Sequence, residues 1–156
     1  MFVPPAMSYV DFEVVNEPRN RYQLSDGTIL YSRTIVIQIV KHGQYDVYGK
    51  PLYGIVANNL NSFRAPQELR RPPTLPPPTI EEIRDSIVDD VNAEPMSEEW
   101  SSYKCMDGTI IKVKGILTSI KRTSVYDVLG EPVYIVNVQN VIKDDVPKSL
   151  WKKIMK

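Results

Sequence analysis

The chain has 156 residues, 42% of them hydrophobic and 24% charged, with 19 basic side chains against 19 acidic ones. That composition is too apolar for a disordered chain, and the length suits one domain or two small ones. One cysteine, Cys105, excludes an internal disulfide, and with His42 the only histidine there are too few soft ligands for a zinc site.

No metal and no cofactor are therefore expected. The most continuous apolar run, "TIVIQIV", has a strand's length and carries Gln38, so no membrane span is expected. "MFVPPAM" lacks the basic and extended apolar regions of a secretory signal, which points to a soluble, cytoplasmic protein.

Taken in chain order, "YVDFEVV" comes first, alternating Tyr9, Asp11 and Glu13 against Val10, Phe12 and Val14. It reads as an extra strand without a later counterpart. Asp26-Gly27 suits a two-residue hairpin, because Gly accepts positive φ without a Cβ penalty. A long β-prone run follows, "TILYSRTIVIQIVK", with Arg33 and Lys41 on it. Next, "YDVYGKPLY" reads as a loop in which Asp46 accepts backbone amides, Gly49 turns left-handed and Pro51 starts a strand. Tyr45 and Tyr53 are expected to pack over its base. Pro66 and Leu69 mark a first helical turn.

From Arg71 the chain changes to "PPTLPPPT", an extended proline-rich spacer. Thr79 and Glu82 then form a capping box before Ile80, Ile83, Ile87 and Val91, which predicts a helix over 80–92 whose apolar stripe is buried against a β-module.

Displacing the chain by 81 places aligns residues 22–70 with 103–151 without a gap. Asp107-Gly108 repeats the hairpin, and "YDVLGEPVY" repeats the loop with Asp127, Gly130 and Pro132. The second long run, "TIIKVKGILTSIKR", carries Lys112, Lys114, Lys121 and Arg122. Its apolar parity switches near Gly115, where a bulge or bend is expected. "PKSLWKKIMK" predicts a terminal amphipathic helix with Lys152 and Lys153 on its polar side.

These readings define a mainly β fold. They describe a tandem duplication of a small three-stranded meander able to close toward a barrel, with one acidic linker helix and a short C-terminal helix. The segments are a first module over 1–71, a linker and acidic helix over 72–99, and a second module over 100–156. Charge follows the same division: eight basic and six acidic residues in the first, one and eight in the second, ten and five in the third.

No glycine-rich phosphate loop, nucleophile elbow or paired catalytic residues are present, and His42 reads as a surface histidine. A non-catalytic interaction protein is expected, an accessory or structural subunit that binds protein partners through two similar modules. The alternative is single-stranded nucleic-acid binding through the basic second module. The residues expected to make contact, with nucleic acid or with a partner, are Arg33, Lys41, Lys112, Lys114, Lys121, Arg122, Lys152 and Lys153.

Overall fold

A computed structural model describes residues 7–152. In chain order the strands are β1 (Ser8–Tyr9), β2 (Phe12–Asn16), β3 (Asn20–Leu24), β4 (Ile29–Tyr45) and β5 (Pro51–Arg64). After a 3-10 turn at Gln67–Leu69 comes helix α1 (Ile80–Asp85). Then follow β6 (Ile87–Asp90), β7 (Ala93–Ser97), β8 (Ser101–Cys105), β9 (Ile110–Tyr126), β10 (Pro132–Asp145) and a second 3-10 turn at Lys148–Leu150. All strand pairs are antiparallel, and they form two five-stranded sheets. Neither sheet closes into a barrel. The path of the first is β7-β3-β4-β5, with β1 beside the far half of β4. The second follows β2-β8-β9-β10, with β6 beside the far half of β9.

The period of 81 extends to the strands that precede position 22. β4 and β9 start and end 81 residues apart, as do β5 and β10, β3 and β8, and the two 3-10 turns. So do β2 and β7, which corrects the expectation that the N-terminal strand has no counterpart. β1 and β6 also correspond: Tyr9 pairs with Val40, and Asp90, 81 positions on, pairs with Lys121.

Each sheet takes a strand from outside its own module, β2 from the segment over 1–71 and β7 from the segment over 72–99. β2 completes the β8 hairpin through Phe12–Cys105 and Val14–Tyr103, while β7 completes the β3 hairpin through Ala93–Leu24 and Pro95–Tyr22. The apolar interior is shared in the same way. One cluster joins Tyr22, Leu24 and Leu30 to Val91, Ile120 and Tyr134; the other joins Val36 and Ile39 to Tyr103, Cys105, Ile111 and Val113. Phe12 meets Tyr103 edge-on, with ring centroids 5.4 Å apart. The two sheets therefore lean on one another through exchanged edge strands and shared apolar clusters.

Four local expectations are corrected. The Asp-Gly turns are three-residue loops: Gly27 N–H donates to Leu24 C=O and Leu24 N–H donates to Thr28 C=O. A type I′ turn would need positive φ at Asp26, and among the described residues only glycines have it, whereas Gly27 stands at +93°. The bulge in β9 falls at Thr118, three residues past Gly115, and β4 has the same bulge at Ile37, so glycine is not its cause. The predicted helix over 80–92 stops at Asp85. Its stripe is not buried as expected, since Ile80 is 69% exposed, because β6 instead pairs with β9 and only Val91 enters the core. The cap is as read, with Thr79 accepting the Glu82 amide. Finally, the described part of the C-terminal segment is a 3-10 turn; the rest of that predicted helix, with Lys153, lies outside the described residues.

Candidate interaction surfaces

The repeated turns position each other across the two segments. Tyr134 O–H donates to Asp26 Oδ2 at 2.6 Å, and Tyr53 O–H donates to Asp107 Oδ2 at 2.6 Å. With each phenolic proton so committed, the hydroxyls of Thr28 and Thr109 donate to the phenol oxygens, at 2.8 and 3.0 Å. Tyr53 and Tyr134 thus leave the bases of their own loops, contrary to expectation, and latch onto the opposite turn. Burial alone pushes the Asp26 carboxyl upward, but hydrogen bonds from Tyr134, Thr28 and Arg122 outweigh it and hold it below the usual range. Asp107 is lowered likewise, against its burial, by Tyr53, Thr109 and Lys41. Burial and then Asp107 push Tyr53 up to about 12.

A folded-state pKa below the unfolded one gives stability that is present above the unfolded value, about 3.9, and lost as pH falls through the folded value. Replacing both Tyr53 and Tyr134 with Phe is expected to cost about 2–4 kcal/mol at neutral pH, as two charge-assisted bonds are lost. The deficit should narrow below pH about 4, as wild type surrenders the same contribution. Urea titrations at neutral and acid pH measure both.

The second repeated loop builds two rigid tips. Asp46 Oδ1 accepts the amides of Tyr48 and Lys50 at 2.8 and 2.9 Å, and Asp127 Oδ1 accepts those of Leu129 and Glu131 at 2.9 and 3.0 Å. Gly49 and Gly130 stand at φ +87° and +79°. Each loop is also held from outside its hairpin: Arg71 N–H donates to Gly130 C=O, and Lys152 N–H to Gly49 C=O. Pro51 and Pro132 are buried at the strand starts. The residues between Asp and Gly face outward: Val47 and Tyr48 are 82% and 71% exposed, Val128 and Leu129 80% and 76%. Sequence reading saw the turns and missed these tips, although apolar pairs at the crest of a constrained turn were the available signal.

The basic residues divide into held and free. Arg122 pairs with Asp26 at 3.1 Å and Asp89 at 3.7 Å, Lys121 with Asp90 at 3.4 Å, and Lys114 with Glu98 at 2.9 Å. The acidic segment thus lies along the basic second sheet, through a strand rather than the predicted helix. Lys41 faces Asp107 and approaches the Tyr53 ring at 5.9 Å. Lys152 stands 5.6 Å from the Tyr45 ring. Lys112 is exposed opposite Lys143, which with Lys114 flanks Trp100 at 4.7 and 5.2 Å. Arg33 lies apart from all of these, on the outer face of the first sheet.

A cleft of about 310 Å³ between the sheets is lined by Tyr22, Glu98 and Leu117 among others. In it Tyr22 O–H donates to Glu98 at 2.7 Å. Burial and Glu98 raise the phenol, while Lys114 leads in lowering the carboxyl, so neither group titrates near neutrality. Cys105 closes β8 in the core, where burial and Asp107 push its thiol up to about 11. His42 is half-buried, against the expectation of a surface histidine, with its ring over Gly54. Among the described residues, no three His, Cys, Asp or Glu side chains come together as a metal group, and no helix is long and apolar enough to cross a membrane. Compared with known proteins, the chain matches no family model, no curated protein and no solved structure.

Proposed function

We propose that this chain is a non-catalytic interaction protein, an accessory or structural subunit of a larger assembly, built by internal duplication and gripping its protein partner through two similar apolar tips. The observation that carries this reading is the paired exposure of Val47-Tyr48 and Val128-Leu129 on loops whose backbones are fixed from both sides. Large apolar side chains on a constrained turn lose little entropy on docking, so their burial is available for binding. Two such tips on one body give a second contact at high effective concentration. The acid and base pairs in the cleft are committed to one another, which agrees with a binding role.

Replacing Val47, Tyr48, Val128 and Leu129 together with Ser tests the proposal. These side chains touch solvent, so folding stability should change by no more than about 0.5 kcal/mol. Affinity capture from the native cell should recover a stoichiometric partner with wild type and none with the fourfold variant, each single-tip pair giving intermediate loss. Recovery of the same partner by the fourfold variant would refute it.

The second reading, nucleic-acid binding through the basic second module, is weakened by geometry. Lys114, Lys121 and Arg122 already have carboxylate partners within the chain.

A further inference from the structure

The outer face of the first sheet carries four arginines around one tyrosine. In register, Arg21 stands opposite Tyr31 and Tyr31 opposite Ser62; one row along, Arg33 opposes Leu60, and one row back, Ile29 opposes Arg64. Residues in these rows share a face, with about 5 Å between strands and about 7 Å between successive rows. The guanidinium of Arg19 lies 3.9 Å from the centre of the Tyr31 ring and that of Arg64 lies 5.3 Å from it. Arg19, Arg21, Arg33 and Arg64 are all exposed.

None of the four has a carboxylate within 4 Å among the described residues. The contrast with the other sheet is informative. Lys114, the counterpart of Arg33, is held by Glu98, whereas Arg33 has no such partner. The acid nearest in register is Glu94, across Gln23 on the far edge strand, at the opposite end of the row from Arg64. A shallow pocket of about 130 Å³ opens between Arg19, Arg33, Asn61 and Ser62, beside the Tyr31 ring.

We propose that this face binds single-stranded nucleic acid, a partner distinct from the one that the apolar tips would grip. Four unpaired guanidinium groups on a protein of zero formal charge concentrate positive potential on one sheet face. Arginine is also the cation that serves both parts of a nucleotide. Its fork takes phosphate oxygens, and its plane accepts an unstacked base. Arg33 at the pocket and Arg21 and Arg64 beside Tyr31 serve as phosphate donors. Arg19, braced on Tyr31, offers its free plane to a base. A duplex buries its bases and cannot use that platform, which selects the single strand.

The test is fluorescence anisotropy of the full chain with labelled oligothymidylate and oligouridylate of about 12 nucleotides, within the range of small β-sheet sites. Three phosphate contacts on a single strand predict a salt slope near −2, so raising salt from about 50 to about 200 mM should weaken binding about twentyfold. Arg21→Glu with Arg64→Glu should abolish that binding while leaving the thermal unfolding curve in place. Lys112→Glu with Lys143→Glu, on the other sheet, should leave it unchanged. Binding of either oligomer supports the proposal, and their ratio tells DNA from RNA. It is overturned by no binding at the lower salt, by loss with the lysine pair instead of the arginine pair, or by capture of phosphatidylserine vesicles without oligonucleotide.

Discussion

Cut between Pro77 and Pro78, the chain is expected to yield two halves that do not fold apart and that regain the native structure when mixed. Residues 1–77 keep β3, β4 and β5 but lose β7, which hydrogen-bonds the free edge of β3. Residues 78–156 keep β8, β9 and β10 but lose β2, and with it Phe12 against Tyr103. Each half also loses the opposite wall of both apolar clusters. In the first half Tyr22, Leu24, Leu30, Val36 and Ile39 would be uncovered, worth roughly 8–15 kcal/mol at 1.5–3 kcal/mol per buried side chain. That is as large as the whole stability of an ordinary domain, so nothing remains to hold a half together. Far-UV circular dichroism and denaturant titration of each fragment should show no cooperative transition. The equimolar mixture should show one, with a single 1:1 species in sedimentation. A cooperative transition in either fragment alone would sink the prediction.

What the sequence made legible was local. The capping box at Thr79, the loop geometry set by Asp46, Gly49, Asp127 and Gly130, and the strands β4 and β9 all follow from side chains acting on backbone within a few residues. The mainly β class followed from the same runs. The reciprocal exchange was not legible, because the pairs that create it are 54 to 108 positions apart, as Tyr53–Asp107 and Tyr134–Asp26 are. Identity of Asp26 with Asp107, Thr28 with Thr109 and Tyr53 with Tyr134 was visible, yet each was read as serving its own turn or strand. Only the fold shows that one member of each set serves the other segment. The segment over 87–90 misled for a related reason: Ile87 and Val91 match helical spacing, but pairing with the open half of β9 outweighs it. Of the candidate surfaces, Arg33 was visible on its strand. Its neighbours Arg19, Arg21 and Arg64 come from two other strands and a connection, so their convergence on Tyr31 was hidden.

Gly115 gives the sharpest case, and an expected result with it. The sequence suggested that this glycine bends β9; in the structure it instead sits where β9 passes its counterpart β4. A Cβ at 115 would come within 2.8 Å of Thr34 Oγ1 and Val138 Cγ1 and 3.2 Å of Asn59 Oδ1. Thr34 is the position 81 residues earlier, so the two strands meet at equivalent points and space is left for one side chain. Thr34 occupies it, its hydroxyl donating to Asn59 Oδ1 at 2.8 Å. Asn140, the counterpart of Asn59, pairs in register with Gly115, and its buried Oδ1 has no hydrogen-bond partner among the described residues. Gly115→Thr alone should therefore cost about 2–4 kcal/mol, from overpacking and from disturbing the Thr34–Asn59 bond. Combining it with Thr34→Gly removes the clash with Thr34, though not the one with Val138, and transfers the hydroxyl to Asn140, leaving Asn59 as the orphan. The double variant should recover part of the loss, a coupling of about 1 kcal/mol between positions 81 apart in the chain. Chemical denaturation of the two single variants and the double variant measures it. Simple additivity would show that the strands do not meet there.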